Sequence, residues 1–299
     1  MDSLKGDVGT GGTTAGDAIA DVLKSHLSTD NWQWLSTHGK NLAADPKPGM
    51  VARLFTSLPR QLKSDGTPPT VSINDALQGP GGLSLAVHEW SVVRLARVWV
   101  LTCIPKLNEA EYMQLIEQLF KYGDMEELTA LYSALPVYHY SKAWQARCKE
   151  GIRSNIGPVR HAVMVNNPYP ARFLDEDAWN QLVLKAFFTE ETIPNIIGLS
   201  QRNNLRLAQA LTDYAYERYA AKREIDPMLW ILVGPFIDDR AFELMKRIVV
   251  ESPAPLERKA IAYAFGHSGY NSARSYIMQH DQFNTLSDHS GTPWEAWEQ

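Results

Sequence analysis

Lys185 stands in LVLKAFF (182–188), a run apolar on every other side of a helix. An ammonium so placed has three outcomes. Its four-carbon stem covers apolar surface while the amine reaches water. It pairs with a carboxylate, because a buried charge left alone is costly. Or it holds an anionic or carbonyl group of a ligand, with Schiff-base chemistry only if desolvation depresses its pKa. In TDYAYERYAA, Asp213 and Glu217 lie one helical turn apart and project from one face. That pair suits acid/base work, a partnership with Lys185, or a plain solvated surface. Arg202, with Asn203 and Asn204, precedes the same helix, where backbone amides point at anions. His161 lies in GPVRHAVMVNNPYP just upstream of Asn167 and Tyr169. It reads as a satisfied polar group or as a base, and the Tyr169 phenol can donate or accept a hydrogen bond. A second cationic pair, Arg94 and Arg97 in HEWSVVRLARVWVL (88–101), is either matched by acids or forms an anion clamp.

These side chains need helices to position them. A helix from Asp175 puts Trp179, Leu182, Val183 and Ala186 on one stripe, with Lys185 flanking it. Pro168 and Pro170 fix two φ angles and exclude helix from the residues before them, leaving Asn167 and Tyr169 in an extended connection. In the helix after Asn204, Leu207, Ala210, Leu211, Tyr214 and Arg218 share a stripe beside Asp213, Tyr216 and Glu217. Arg94 and Arg97 face the same way as Trp90 and Leu101 if 86–103 is one helix.

The same rhythm runs through the chain. AGDAIADVLKSHL (15–27) has an apolar stripe with Asp17 as its expected cap. Helices are expected again over 108–122, 124–134, 139–151, 155–165, 175–189, 203–222, 226–235, 238–251, 255–266 and 270–280. Asn108 and Asp175 are plausible caps, and LP, NPYP, GPF and SPAP break the runs. The Pro/Gly/Ser/Thr cluster over 63–84 reads as a long surface loop. VSI (71–73) has strand character but no visible partner. The expectation is an all-α fold, an irregular array of antiparallel helix pairs with HEAT-like stacking and no fixed period. Residues 1–16 read as a disordered leader, 17–283 as a single all-α domain, and 284–299 as a tail in which Trp294 and Trp297 could dock.

Composition narrows the functions. With 44% hydrophobic and 21% charged residues among 299, a sizeable core can form. A net charge of −5 argues against nucleic acid as partner. Cys103 and Cys148 form no CxxC or Cys/His pair and read as reduced buried thiols in a cytoplasmic protein. No metal site, nucleophile motif or phosphate loop is visible, so no cofactor is implied. The apolar runs are shorter than the ~18–20 residues that span a bilayer.

LTALYSALPVYHY, EGIRSNIGPV, NNPYPARFLDEDAWNQLVLKAFF and IIGLSQRNNLRLAQALTDYAYERYAAKREIDPMLWILVGPF together resemble the EboA family of metabolite-traffic proteins. The resemblance runs from about 128 to 236, is weaker before that, and finds no counterpart for the leader or beyond about Gly266. It implies a cytosolic protein of secondary metabolism linked to moving an aromatic or prenylated precursor toward export. The family's recurrent polar positions fall here on Arg153, Asn155, Asn167, Tyr169, Asp175, Asn180, Lys185, Arg202, Asn204, Asp213, Glu217 and Arg218. Ser200-Gln201 replaces a common acidic residue, and Tyr216 stands where histidine is usual.

Three readings remain open. The chain binds a largely apolar aromatic, terpenoid or polyketide intermediate in an interhelical pocket of Asn167, Tyr169, Trp179, Asn180, Lys185, Arg202 and Tyr214. Alternatively it is a cofactor-independent cyclase, isomerase or hydrolase, with Lys185, Asp213, Glu217, His161 and Tyr169 as acid/base groups. Or it is a helical scaffold for other enzymes of a pathway.

Overall fold

The structure, a computed structural model, describes residues 14–62, 70–80 and 82–280. The expected leader up to residue 13 and the tail with Trp294 and Trp297 lie outside the described residues. The chain divides into two compact units, Met1–Tyr169 and Pro170–Gln299.

The first unit contains α1 (Ala15–His26), α2 (Thr29–Ala44), α3 (Pro48–Gln61), β1 (Thr70–Gln78), β2 (Ser84–Ser91), α4 (Val92–Thr102), α5 (Glu109–Tyr122), α6 (Met125–Ser133), α7 (Gln145–Arg153) and α8 (Gly157–Met164). Helix α1 starts on a capping box in which Thr14, not Asp17, is the cap, and Asp17 answers from the third helical position. Asn108 caps α5 as expected. Helix α4 packs against α1, α3, α6 and the hairpin β1–β2, so it forms the centre of this unit. It buries Leu95, Ala96, Val98, Trp99, Val100 and Leu101, and each large aliphatic among them contributes about 1.5–3 kcal/mol.

The hairpin overturns two expectations. Residues 70–78 are a strand within the supposed loop, and VSI pairs with β2 in the register Val71↔Trp90, Ile73↔Val87 and Leu77↔Leu85. Residues 86–91 are strand, so the helix starts only at Val92, after Ser91 caps it by accepting from the Arg94 amide. The alternation Leu85, Val87 breaks where an irregular register lets Trp90 point inward instead of Glu89. Glu89 has φ +52° there, and its amide donates to Ser72 Oγ at 2.9 Å.

Helix α9 (Tyr169–Phe173) begins on the last residue of the first unit. The second unit continues with α10 (Glu176–Phe188), α11 (Leu199–Arg202), α12 (Leu205–Ala220), α13 (Met228–Val233), α14 (Asp239–Glu251), α15 (Pro255–His267) and α16 (Asn271–Met278). Asp175 caps α10, and Trp179, Leu182, Val183 and Ala186 are fully buried, as the stripe requires. Helix α12 packs on α10 and α13, and α15 packs on α13, α14 and α16. Gly198 (φ +93°) precedes α11, and a Cβ there would come within 2.6 Å of the Ala171 Cβ. The fold is predominantly helical, and β1–β2 is the sole sheet among the described residues.

Candidate functional site

The double-proline corner is packed tightly. Asn167 is buried and donates to the carbonyls of Tyr132 (3.2 Å) and Ala162 (2.9 Å), while its Oδ1 accepts from the Tyr169 amide at 3.0 Å. The side chain thus closes a turn on its own backbone and ties α8 to the end of α6. Tyr169 is fully buried and its hydroxyl donates to the Ser141 carbonyl at 2.5 Å. Burial drives its pKa far above the phenol range. The extended connection expected through Tyr169 is instead the first residue of α9, because Pro170 falls in the first turn, where a missing N–H costs nothing.

In the second unit the expected ligand groups hold helix ends. Asn180 and Asn204 exchange hydrogen bonds at 3.2 and 2.9 Å, and Asn204 Oδ1 also caps α12 at the Leu207 amide. Arg202 donates to the carbonyls of Pro170 (3.2 Å) and Ala171 (3.0 Å), with its guanidinium 4.9 Å above the Trp179 ring. Desolvation lowers its pKa, and Asp175 and Glu176 oppose the shift. The buried Trp179 indole N–H finds no acceptor among the described residues. Tyr214 is half-buried, with its hydroxyl 3.4 Å from the Phe187 carbonyl.

Lys185 is half-buried, its amine 5.8 Å from the centre of the Phe188 ring. The expected pairing with Asp213 or Glu217 is not formed. Asp213 pairs instead with Arg240, and both it and Glu217 are exposed on the solvent side of α12. The carboxylate-paired outcome is therefore not the one seen among the described residues.

Four cavities among the described residues are lined by the first unit. Two are relevant. The larger, about 570 Å³, lies between the start of α1, the β1–β2 turn and the end of α4, with Leu101, Val137 and His139 in its walls. The other, about 280 Å³, is built by β2 (Leu85, Ala86, His88, Glu89, Trp90), Arg94 of α4, Ser133 of α6 and the segment His161–Asn167. Two of the expected residues, His161 and Asn167, therefore border one space with Arg94.

The two arginines of α4 part company. Arg97 is buried 3.9 Å from Glu127, and its Nε reaches the Phe55 carbonyl at 3.5 Å. Arg94 has no carboxylate at ion-pair distance among the described residues. Its Nε and Nη2 both donate to Ser133 Oγ (2.9 and 2.6 Å), and its guanidinium lies 4.2 Å above the Trp90 ring. Desolvation pushes its pKa down to about 10, with Glu126 opposing, so the group is charged at neutral pH. Glu89 and Asn166, at φ +52° and +54°, line the same cavity. Asn tolerates the left-handed region after a helix, but a glutamate there is strained. Glu89 and Ser133 escaped sequence reasoning, and Trp90 was placed on the arginine face but on a helix where the structure has β2. Only the Arg94/Arg97 spacing signalled the place.

Among the described residues no three His, Cys, Asp or Glu side chains cluster as metal ligands, and no helix is long and apolar enough to cross a membrane. No curated protein and no solved structure gives a match. The profile of the family described as metabolite traffic protein EboA matches residues 15–234, starting well before the segment on which the resemblance was strongest and including every residue of the Trp90–Arg94 cavity. The chain belongs to the EboA family of metabolite traffic proteins.

Proposed function

We propose that the protein binds a small organic metabolite of a secondary pathway in the Trp90–Arg94 cavity of the first unit and carries it between partner enzymes in the cytoplasm. The observation that supports this reading is the meeting of a half-buried guanidinium with no ion pair among the described residues, an aromatic face and a strained backbone at one cavity. Leu85, Ala86, Ala162 and Val165 supply apolar walls for an aromatic, terpenoid or polyketide body. At about 280 Å³ the space lies at the lower end of small-molecule sites, so a larger guest would be held by one end. Binding is favoured over acid/base catalysis because two of the proton-transfer candidates are otherwise engaged. Asp213 faces solvent in an ion pair, and the Tyr169 phenol is fixed on a carbonyl.

The test is mass spectrometry of small molecules that co-purify with the full chain from its native host. Ala86→Phe, which fills the cavity, is expected to abolish retention with the melting temperature unchanged. Thr102→Trp, which fills the larger cavity, leaves retention intact. Loss of the metabolite on Thr102→Trp alone would move the site and refute this reading.

A further inference from the structure

A guanidinium carries five N–H donors in a fixed fork. In Arg94 the Nε–H and one Nη2–H are spent on Ser133 Oγ. Ser133 in turn gives its own proton to the Thr129 carbonyl at 2.5 Å, so its lone pairs, not its hydrogen, face the arginine. Of the three remaining N–H groups, two form the end-on Nη1/Nη2 edge, and none of the three has an acceptor among the described residues. Trp90 beneath and Ser133 at the side stop the group from swinging away. Two parallel outward N–H bonds on a clamped cation match the two oxygens of a carboxylate.

We propose that this cavity is selective for an organic monocarboxylate, its carboxylate on the open edge of Arg94 and its apolar body against Leu85, Ala86 and Val165. The proposal rests on the binding reading above and adds the chemical class of the guest. Charge selects a monoanion. Arg97 is already matched by Glu127, so Arg94 is the α4 guanidinium left without an ion pair among the described residues, and the Glu89 carboxylate at the rim opposes a phosphate dianion. The apolar walls favour a carbon skeleton over a small inorganic ion.

The experiment is calorimetric titration of the full chain with benzoate, with its neutral isostere benzamide, and with inorganic phosphate. Benzoate is expected to bind, with benzamide and phosphate at least about tenfold weaker. Arg94→Met is expected to weaken benzoate by about tenfold to a hundredfold while leaving benzamide unchanged. If Arg94→Met does not fold, the benzoate-to-benzamide ratio on the unaltered protein decides the matter. Equal affinity for benzoate and benzamide, phosphate binding more tightly than benzoate, or no benzoate binding would each overturn the proposal. A neutral metabolite that co-purifies and is lost in Ala86→Phe would leave the binding reading standing and remove the carboxylate alone. Absence of any retained molecule would remove the binding reading itself.

Discussion

Asn167→Ala separates a structural side chain from a ligand contact. The amide makes three buried hydrogen bonds, to Tyr132 O, to Ala162 O and from Tyr169 N. At a net worth of about 1 kcal/mol each, truncation costs about 3 kcal/mol, and the stranded carbonyls hold the figure at or above that level. For a cooperative unit of this size the loss lowers the melting temperature by about 6–12 °C. Asn167→Asp is expected to cost more than alanine. Its carboxylate can still accept from Tyr169 N but is held against two carbonyl oxygens, where the amide had donated. Urea unfolding followed by circular dichroism measures both, with the midpoint falling at constant slope. A loss below about 1 kcal/mol for alanine, or an aspartate variant more stable than the alanine one, would refute this assignment and return Asn167 to the ligand.

Lys185→Met is expected to stay within about 0.5 kcal/mol of wild type and to leave metabolite retention unchanged, because the amine forms no ion pair with a described carboxylate. A loss above 2 kcal/mol in the same titration, on the order of a broken buried pair, would contradict this. Arg97→Met strands the buried Glu127 and should cost about 3–5 kcal/mol, whereas Arg97→Met with Glu127→Gln recovers most of that and keeps the cap on the Asp124 amide. A double variant as unstable as the single one would show that the charge is not the cause. Burial pushes the Cys103 thiol up to about 12 and raises that of Cys148 as well, so iodoacetamide at pH 8 should label neither until urea unfolds the chain. Because the folded thiol stays protonated where the unfolded one ionises, its contribution to stability is lost as pH rises from the ordinary thiol value toward about 12.

Much of the helical framework followed from local rules. Asn108 and Asp175 cap α5 and α10, and the stripe Trp179, Leu182, Val183, Ala186 is buried, because side-chain capping and a 3.6-residue period are properties of a single helix. That Asp213 and Glu217 share one face was legible for the same reason, whereas its solvation was one of three readings left open. What lay beyond reach depended on partners distant in sequence. VSI found its strand some 15 residues on, and a break in alternation at Glu89 made strand residues before an apolar helix read as part of that helix.

The tertiary fold also decided which charges stay unmatched. Arg94 and Arg97 look alike in sequence, one turn apart on α4. Yet Arg97 meets Glu127 of α6, while among the described residues Arg94 meets a hydroxyl and an indole face. Period and composition can say that a cation sits on a helix. Whether it meets an acid or a cavity depends on which other element lies opposite, and long-range packing alone sets that.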